Sequence, residues 1–590
     1  LKNLFTLNHY FIKYKWHLIL GVIFVTASNY FSILIPQKIR EALDLVQGKI
    51  EILKSTNSVS EALYDELGYS LFIFGLIVTA FAIIKGIMMY YMRQTLIVMS
   101  RLIEYDMRKA VFSHIQTFDQ GYLRTHQTGD IMARISEDVS KVRDYLGPGI
   151  LYGINLITLF AMTIYAMLQV DVKLTFYALL PLPFLSISIY YVSKLINEKS
   201  TRIKQQLSVL NSTAQEAYSG IRVIKSYVKE EQFTGYFETQ SEEFRKRSLE
   251  LARIEAYFQP LMVLLISIST LLVVLIGGYT VYEGNLTAGN IAEFILYVNM
   301  LTWPVTAIGW IASVIQEAEA SQTRINQLMQ QKSSLINKNV AMYPVEGDIE
   351  FRNVTFTYPN TGVTALKNIN FKLKKGERMA LMGKTASGKT TIAELLSRMF
   401  DVTDGQILID GKDIKTHNIK IIRDRISVVP QDVFLFSDSI AGNISFGNPN
   451  ATIEQIKEYA AYASIHNEIE NLPRQYETLV GERGVTLSGG QKQRISIARA
   501  FIKKPDVIIL DDALSAVDTT TEQNILNYFD QAIKDKTAII ITHRANNLLN
   551  YDKILVLDEG KIVEDGTHET LITKDGFYAS VYQQQSMQTA

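Results

Sequence analysis

The stretch Gly383-Lys384-Thr385-Ala386-Ser387-Gly388-Lys389-Thr390 has the residue types and spacing of a phosphate-binding loop. Small residues let backbone N–H groups close around an anion, and a helix starting at the end of the loop adds its dipole. In that arrangement Lys389 neutralises the β- and γ-phosphates of ATP and the Thr390 hydroxyl ligates Mg²⁺. The motif needs a strand before it and a helix after it. The apolar residues 379–382 supply the first, and residues 391–400 read as the second.

Further along, the apolar run 507–510 ends in Asp511, then Asp512. A carboxylate at the carboxyl end of a buried parallel strand lies where open α/β sheets bind ligands. There Asp511 would hold Mg²⁺, directly or through water. Between these motifs stands Leu487-Ser488-Gly489-Gly490-Gln491, a Ser-Gly-Gly turn that opens a helix over 492–501. Such a turn is another cradle of backbone N–H groups. One nucleotide needs one phosphate loop, so a second cradle requires a second explanation.

The elements that must position these residues divide the chain. At 590 residues it exceeds a single hydrophobic core. Six apolar runs are long enough to cross a bilayer, at 16–35, 70–92, 149–168, 174–192, 260–281 and 291–315. Residues 1–14 read as an amphipathic helix along the interface, and the first run as a retained anchor with no cleavage site behind it. The long segments 93–148 and 193–259 carry eight and eleven Lys or Arg, the short loops almost none. The positive-inside tendency puts the long segments in the cytoplasm, and their periodic apolar residues predict helices that extend the spans. With 59 basic and 59 acidic residues the charge balances, so no nucleic-acid partner is indicated. With no cysteine, disulfides and thiolate metal sites are excluded.

Taken in order, the motifs of the second half resemble the ATP-binding cassette (ABC) family. The pentapeptide Leu487–Gln491 looks like that family's signature, which closes on ATP held by the opposite subunit. The resemblance implies that Tyr358 stacks on adenine and that Gly383, Thr385, Ala386, Ser387, Gly388, Lys389, Thr390 and Thr391 bind the nucleotide. Ser488, Gly489, Gly490 and Gln491 would bind the partner's nucleotide. Gln431 would sense Mg²⁺ alongside the ligands Thr390 and Asp511, and His543 would contact the γ-phosphate. Lys389, Gln431, Asp512 and His543 form the implied catalytic set. Ser515-Ala516-Val517-Asp518 matches the loop that crosses the dimer interface, and Gly481-Glu482-Arg483-Gly484 an element found in exporters. More loosely, residues 118–142 and 216–231 match the intracellular segments whose short coupling helices dock on the ATPase domains.

The implied fold is a polytopic α-helical membrane domain of the type I exporter kind, with six spans, fused to an α/β P-loop NTPase domain. Its expected bounds are 1–325 for the membrane domain, 326–344 for a linker, 345–584 for the ATPase domain and 585–590 for a tail. The implied cofactors are ATP and Mg²⁺. The implied partners are a second half-transporter, the lipid bilayer, and an amphipathic small molecule or lipid as substrate. A bacterial cytoplasmic membrane is the expected site, with the ATPase domain on the cytoplasmic side.

One position departs from the family pattern. Active members usually carry Glu after the strand-end Asp, and here Asp512 stands in its place. The carboxylate retreats by one C–C bond, roughly 1.5 Å, and a misplacement of about 1 Å can cost on the order of a hundredfold in rate. Heterodimeric relatives carry such a change in one subunit while its signature serves the partner's site. The retained His543 and Lys389 argue for strong ATP binding with slow hydrolysis. The pattern leans toward a heterodimer and leaves a homodimer open.

In the membrane half, Lys85 lies within the second apolar run, and charges at such depth are functional candidates by default. The plainer reading is a stem that snorkels toward the cytoplasmic side or a residue that lies beyond the bilayer. Asn155, Trp303, Pro304 and Trp310 are cavity candidates, although aromatic residues also anchor spans at interfaces. A lipid flippase and a drug exporter share every motif above, as would an ATP-gated channel. A soluble cassette ATPase would lack the spans, and an importer would normally carry its two parts on separate chains.

Overall fold

A computed structural model describes residues 2–589 apart from 57–60, 336, 338–342, 482, 483, 485, 518, 533, 534, 546 and 547. Asp518, Glu482 and Arg483 of the matched loops therefore lie outside the described residues, as do residues 336 and 338–342 of the expected linker. Backbone contacts divide the chain into two units. The first comprises Leu1–Ile115 and Gly129–Gln331, the second Gln116–Thr128 and Lys332–Ala590.

Long helices build the first unit. They are α1 (Lys15–Thr56) and α2 (Glu61–Ile115), then, beyond the short α3 (Gln120–Thr125) of the second unit, α4 (Ile150–Val170), α5 (Val172–Leu179), α6 (Pro181–Ser219), α7 (Glu230–Tyr282) and α8 (Ala288–Gln330). Five helical stretches are long and apolar enough to cross a membrane: Lys15–Glu51, Asp65–Ile115, Thr128–Val170, Glu230–Tyr282 and Ala288–Gln330. The remaining run, 174–192, is shared between α5 and α6. Pro181 opens α6 and has no N–H to donate to the preceding turn, which is where the two helices divide.

Phe294, Tyr297, Val298, Leu301 and Val305 lie on one stripe of α8 and are all buried in this unit's core. The helix continues through the first residues of the expected linker, to Gln330. Ile325 and Leu328 are buried and extend the apolar stripe past residue 326, so the helix end falls later than composition alone suggests.

Two sheets organise the second unit. An antiparallel sheet joins β1 (Ile349–Thr357), β2 (Thr364–Leu373), β4 (Asp404–Ile409) and β5 (Lys412–Asp413), in the order β2-β1-β4-β5. The other holds β3 (Arg378–Gly383), β6 (Ile426–Val429), β7 (Val507–Asp511), β8 (Thr537–Ile541), β9 (Lys553–Asp558) and β10 (Lys561–Gly566), in the order β10-β9-β3-β8-β7-β6. From β9 to β6 neighbouring strands run parallel. Every residue of β7 and β8 is buried, as expected for parallel strands covered on both faces. Helices α9 (Lys389–Leu396) and α10 (Gly489–Phe501) pack on this framework.

Candidate nucleotide site

The parallel sheet explains why residues far apart in sequence meet. The carboxyl ends of β3, β8, β7 and β6 lie side by side. They lead respectively into the loop at Gly383, to His543, to Asp511 and Asp512, and to Gln431. A cavity of about 540 Å³ opens there and is lined by Tyr358, Thr385, Ala386, Ser387, Gly388, Lys389, Thr390, Thr391, Gln431, Asp511, Asp512 and His543. Apart from Gly383, every residue that the sequence assigns to this chain's own nucleotide faces it.

The loop's conformation accounts for its glycines. Gly383 and Gly388 have φ of +142° and +102°, a region L side chains rarely adopt. A Cβ on Gly388 would lie 2.6 Å from the Ala365 carbonyl oxygen, and one on Gly383 would collide with the Leu557 carbonyl. Ala386 is also left-handed, at φ +64°. The Lys389 amine donates to the carbonyl oxygens of Gly383 (2.8 Å) and Lys384 (2.7 Å), which holds the cation over the loop. Burial lowers the Lys389 pKa, opposed by the charges of Asp511 and Asp512. Burial raises that of Asp511, while a hydrogen bond from Thr390 pulls it back.

Asp512 stands just past the strand end with φ +48°, and its N–H donates to the Ile541 carbonyl at 2.9 Å. The Ser515 hydroxyl donates to the Asp512 carbonyl at 2.8 Å, and the Ala516 N–H to Gln493 Oε1 at 3.2 Å. The backbone around Asp512 is thereby tied to α10. Burial, and then the Lys389 charge, lower the His543 pKa, so its imidazole is neutral at pH 7.

The Tyr358 ring meets Phe356 and Phe400 edge-on, with centroids 4.9 and 5.6 Å away. Its hydroxyl donates to Glu394 Oε2 at 2.9 Å and lies 3.0 Å from Thr391 Oγ1. Arg124 of α3 forms an ion pair with Glu394, and its guanidinium lies 5.7 Å from the Tyr358 ring centre. Sequence reading passed over Arg124 and Glu394, and also Ala365, Lys367 and Gly560 on the cavity wall. Gly560 has φ +81° and a Cβ there would meet the Ala365 carbonyl at 2.7 Å, a closeness that no local pattern announces.

Ser488, Gly489, Gly490 and Gln491 do not line this cavity. They form the N-terminus of α10, exposed at Ser488 and Gly489 and half-buried at Gly490 and Gln491, closed by a capping box in which Gln491 N–H donates to Ser488 Oγ at 3.3 Å and Ser488 N–H to Gln491 Oε1 at 2.9 Å. Gln491 Nε2 also donates to Glu468 at 2.9 Å. The turn thus lies outside the cavity that the chain's own loop lysine lines.

Thr390, Asp511 and the neighbouring Gln431 offer a hydroxyl, a carboxylate and an amide oxygen. This oxygen set suits Mg²⁺ that completes its shell with phosphate and water. Among the described residues no group of three His, Asp or Glu forms a self-sufficient metal cage.

Comparison with known proteins places the whole chain in one family. The family profile described as the ABC transporter transmembrane region matches residues 18–305, and the profile described as ABC transporter matches residues 366–515. A multidrug resistance-like ATP-binding protein of Escherichia coli is 34% identical over 86% of this chain and 86% of its own length. A protein of the same description from Buchnera aphidicola is 34% identical over 99% of this chain and 98% of its own. The chain belongs to the ABC transporter family. Its fold is that of a bacterial Atm1-family ABC exporter solved with ATP bound, which is 24% identical and superposes with a TM-score of 0.73 over 94% of this chain and 97% of that one. The transporter is a membrane protein that hydrolyses ATP to drive export. ABC exporter half-transporters generally dimerise.

Proposed function

We propose that the transporter exports amphipathic small molecules, drug-like compounds or lipids, across a bacterial cytoplasmic membrane by alternating access, as the slow-hydrolysing half of a pair. The observation that carries this reading is the separation of its two phosphate cradles. The Lys389 loop sits in the cavity and the Ser488 turn is exposed elsewhere. A complete site then needs the Ser488 turn of a second subunit over the nucleotide held by the first.

In this reading Lys389 and the loop N–H groups hold the phosphates, and Thr390, Gln431 and Asp511 hold Mg²⁺. When bound, Mg²⁺ neutralises charge that develops on the transferred phosphoryl group. Asp512 orients the attacking water, and neutral His543 donates a hydrogen bond toward the γ-phosphate. Asp512 is the weak point. Its backbone is anchored to Ile541 and Ser515, which restrains any shift that would offset the shorter side chain.

An amphipathic cargo fits the first unit. A cavity of about 760 Å³ is lined by Val263, Ile266, Leu271 and Val274 together with Ser267, Thr270, Asn299, Thr302 and Trp303. Its wall is mainly apolar with a few hydroxyl and amide groups, the composition of a drug-sized site. Trp303 lines it, and both Trp303 and Trp310 pack against Tyr152, at 5.2 and 5.6 Å.

The test is the steady-state Mg²⁺-ATPase activity of the purified chain in lipid nanodiscs, with Lys389→Ala and Asp512→Glu alongside. A nearly silent native chain that Asp512→Glu revives supports the slow-half reading. Brisk turnover that Lys389→Ala abolishes makes the protein a self-sufficient homodimer and overturns it.

A further inference from the structure

The six apolar runs contain one carboxylate, Glu293, and one lysine, Lys85, with no arginine. Glu293 is fully buried and already engaged. Arg40 Nη1 pairs with it at 3.0 Å, and the Tyr297 hydroxyl donates to it at 2.9 Å. Lys85 has no such partner among the described residues. Its amine donates to the Ser32 hydroxyl of α1 at 3.0 Å, a neutral acceptor.

The position of the amine excludes the snorkelling reading. Side chains on a helix lean toward its N-terminus. On α2 that direction leads away from Arg93, the next charged residue toward the cytoplasmic segment, about 12 Å along the axis. The antiparallel register of α1 and α2 agrees. Phe24 stacks on Tyr91 at 5.4 Å, Phe31 meets Phe81 at 5.8 Å, and Lys49 pairs with Glu66 at 3.0 Å. Lys85 lies between the two aromatic pairs, seven residues from the cytoplasmic end of its apolar run, and reaches Ser32 beside Phe31, three residues from the outer end of the first run.

The surroundings are rich in donors. Ser32, having accepted from Lys85, keeps its own proton to give, and the ammonium keeps two more. One turn along α1, Asn29 Nδ2 donates to Thr158 Oγ1 of α4 at 2.6 Å. Ser28, Asn29 and Ser32 are each buried. In a second copy of this chain the one carboxylate of the apolar runs would be the same Glu293, already held by Arg40 and Tyr297.

We propose that Lys85 and Ser32 form the anion-binding end of the transport site, and that the cargo is an amphipathic molecule bearing a carboxylate, sulfonate or phosphate. This deepens the export reading above and rests on it. A charge held in hydrocarbon is retained where it meets a counter-charge. A cargo that supplies the counter-charge is selected on that count.

The experiment measures equilibrium binding of radiolabelled taurocholate, an amphipathic sulfonate, to the full chain in phosphatidylcholine nanodiscs without ATP. A silent ATPase therefore has no bearing on the outcome. Lys85→Gln is expected to weaken binding about tenfold or more, the worth of a charge-assisted hydrogen bond, while Lys85→Arg retains most of it. The cationic dye Hoechst 33342 is expected to bind both variants no more weakly than the native chain. Competition by phosphatidylglycerol would identify the anion as a lipid headgroup, and absence of competition as a free amphiphile; lysine-dependent binding supports the proposal in either case. Taurocholate binding unchanged by Lys85→Gln, with the variant folded by its native melting temperature, overturns it. If binding is lysine-dependent but taurocholate is not moved in an ATP-dependent assay, the export reading fails and the anion site stands.

Discussion

The guanidinium of Arg124 lies 5.7 Å from the centre of the Tyr358 ring and pairs with Glu394, the same carboxylate that accepts from the Tyr358 hydroxyl. One glutamate thereby holds both the ring proposed to stack on adenine and a cation on α3. A cation over an aromatic face contributes about 0.5–1 kcal/mol at an exposed site. Arg124→Ala is therefore expected to weaken ATP binding about threefold by trinitrophenyl-ATP titration, with Tyr358→Ala weakening it further. Tighter binding in Arg124→Ala would mean that the guanidinium occupies the face adenine needs.

Asp119 ties the same segment down. It caps α3 by accepting from Tyr122 N–H at 2.9 Å, and it accepts from Ser334 N–H at 2.6 Å and the Ser334 hydroxyl at 2.8 Å. Burial alone would raise its pKa, but these hydrogen bonds outweigh it and hold the carboxyl below its usual 3.8. A depressed folded value gives stability that is whole above pH 3.8 and is lost as pH falls through the folded value. Asp119→Ala is expected to cost about 1–3 kcal/mol. Hydrogen exchange should show faster amide turnover at 116–128 in the variant, and the native chain should approach it only in acid below the usual carboxylate range.

Gly388 is the loop position least able to take a side chain. Its φ of +102° and the nearby Ala365 carbonyl leave no room for a methyl group. Gly388→Ala is expected to lower stability by about 1–3 kcal/mol and to abolish trinitrophenyl-ATP binding. Native affinity in that variant would show that the loop re-forms in another conformation.

The Ser488 cap separates a local role from one toward a second subunit. Losing it costs the helix about 1 kcal/mol. Ser488→Ala should leave the affinity of the chain's own loop for ATP within about twofold, since the turn lies outside that cavity. ATPase activity of the assembled dimer should nevertheless fall well beyond what the stability loss explains. A parallel loss of affinity and turnover would place the turn's role within its own chain.

The parts of this site written in contiguous residues were legible in the sequence. Residues 379–382 form part of β3, 507–510 part of β7, and the Ser-Gly-Gly turn opens α10. Each signal is local: an apolar run buried on both faces, or a serine that caps a helix N-terminus. Arg124, Glu394, Ala365 and Gly560 were not legible, because they matter through closeness between distant strands and helices. The helix runs past 326 for a related reason. Gln, Asn and Ser suggest a linker, but Leu328 packs into the first unit and keeps the helix intact to Gln330. Lys85 was visible as an oddity, and only its contact with Ser32 gives it a direction.

The second unit is discontinuous, since Gln116–Thr128 belongs with Lys332–Ala590. No single cut in the gene can release it whole. A fragment begun at residue 332 would leave Phe400 and Tyr358 bare where Arg124 otherwise covers them. It would also strip Ser333 and Ser334 of the carboxylate they share. An excised ATPase domain is thus a damaged specimen, and rates measured on it would describe a molecule missing one wall.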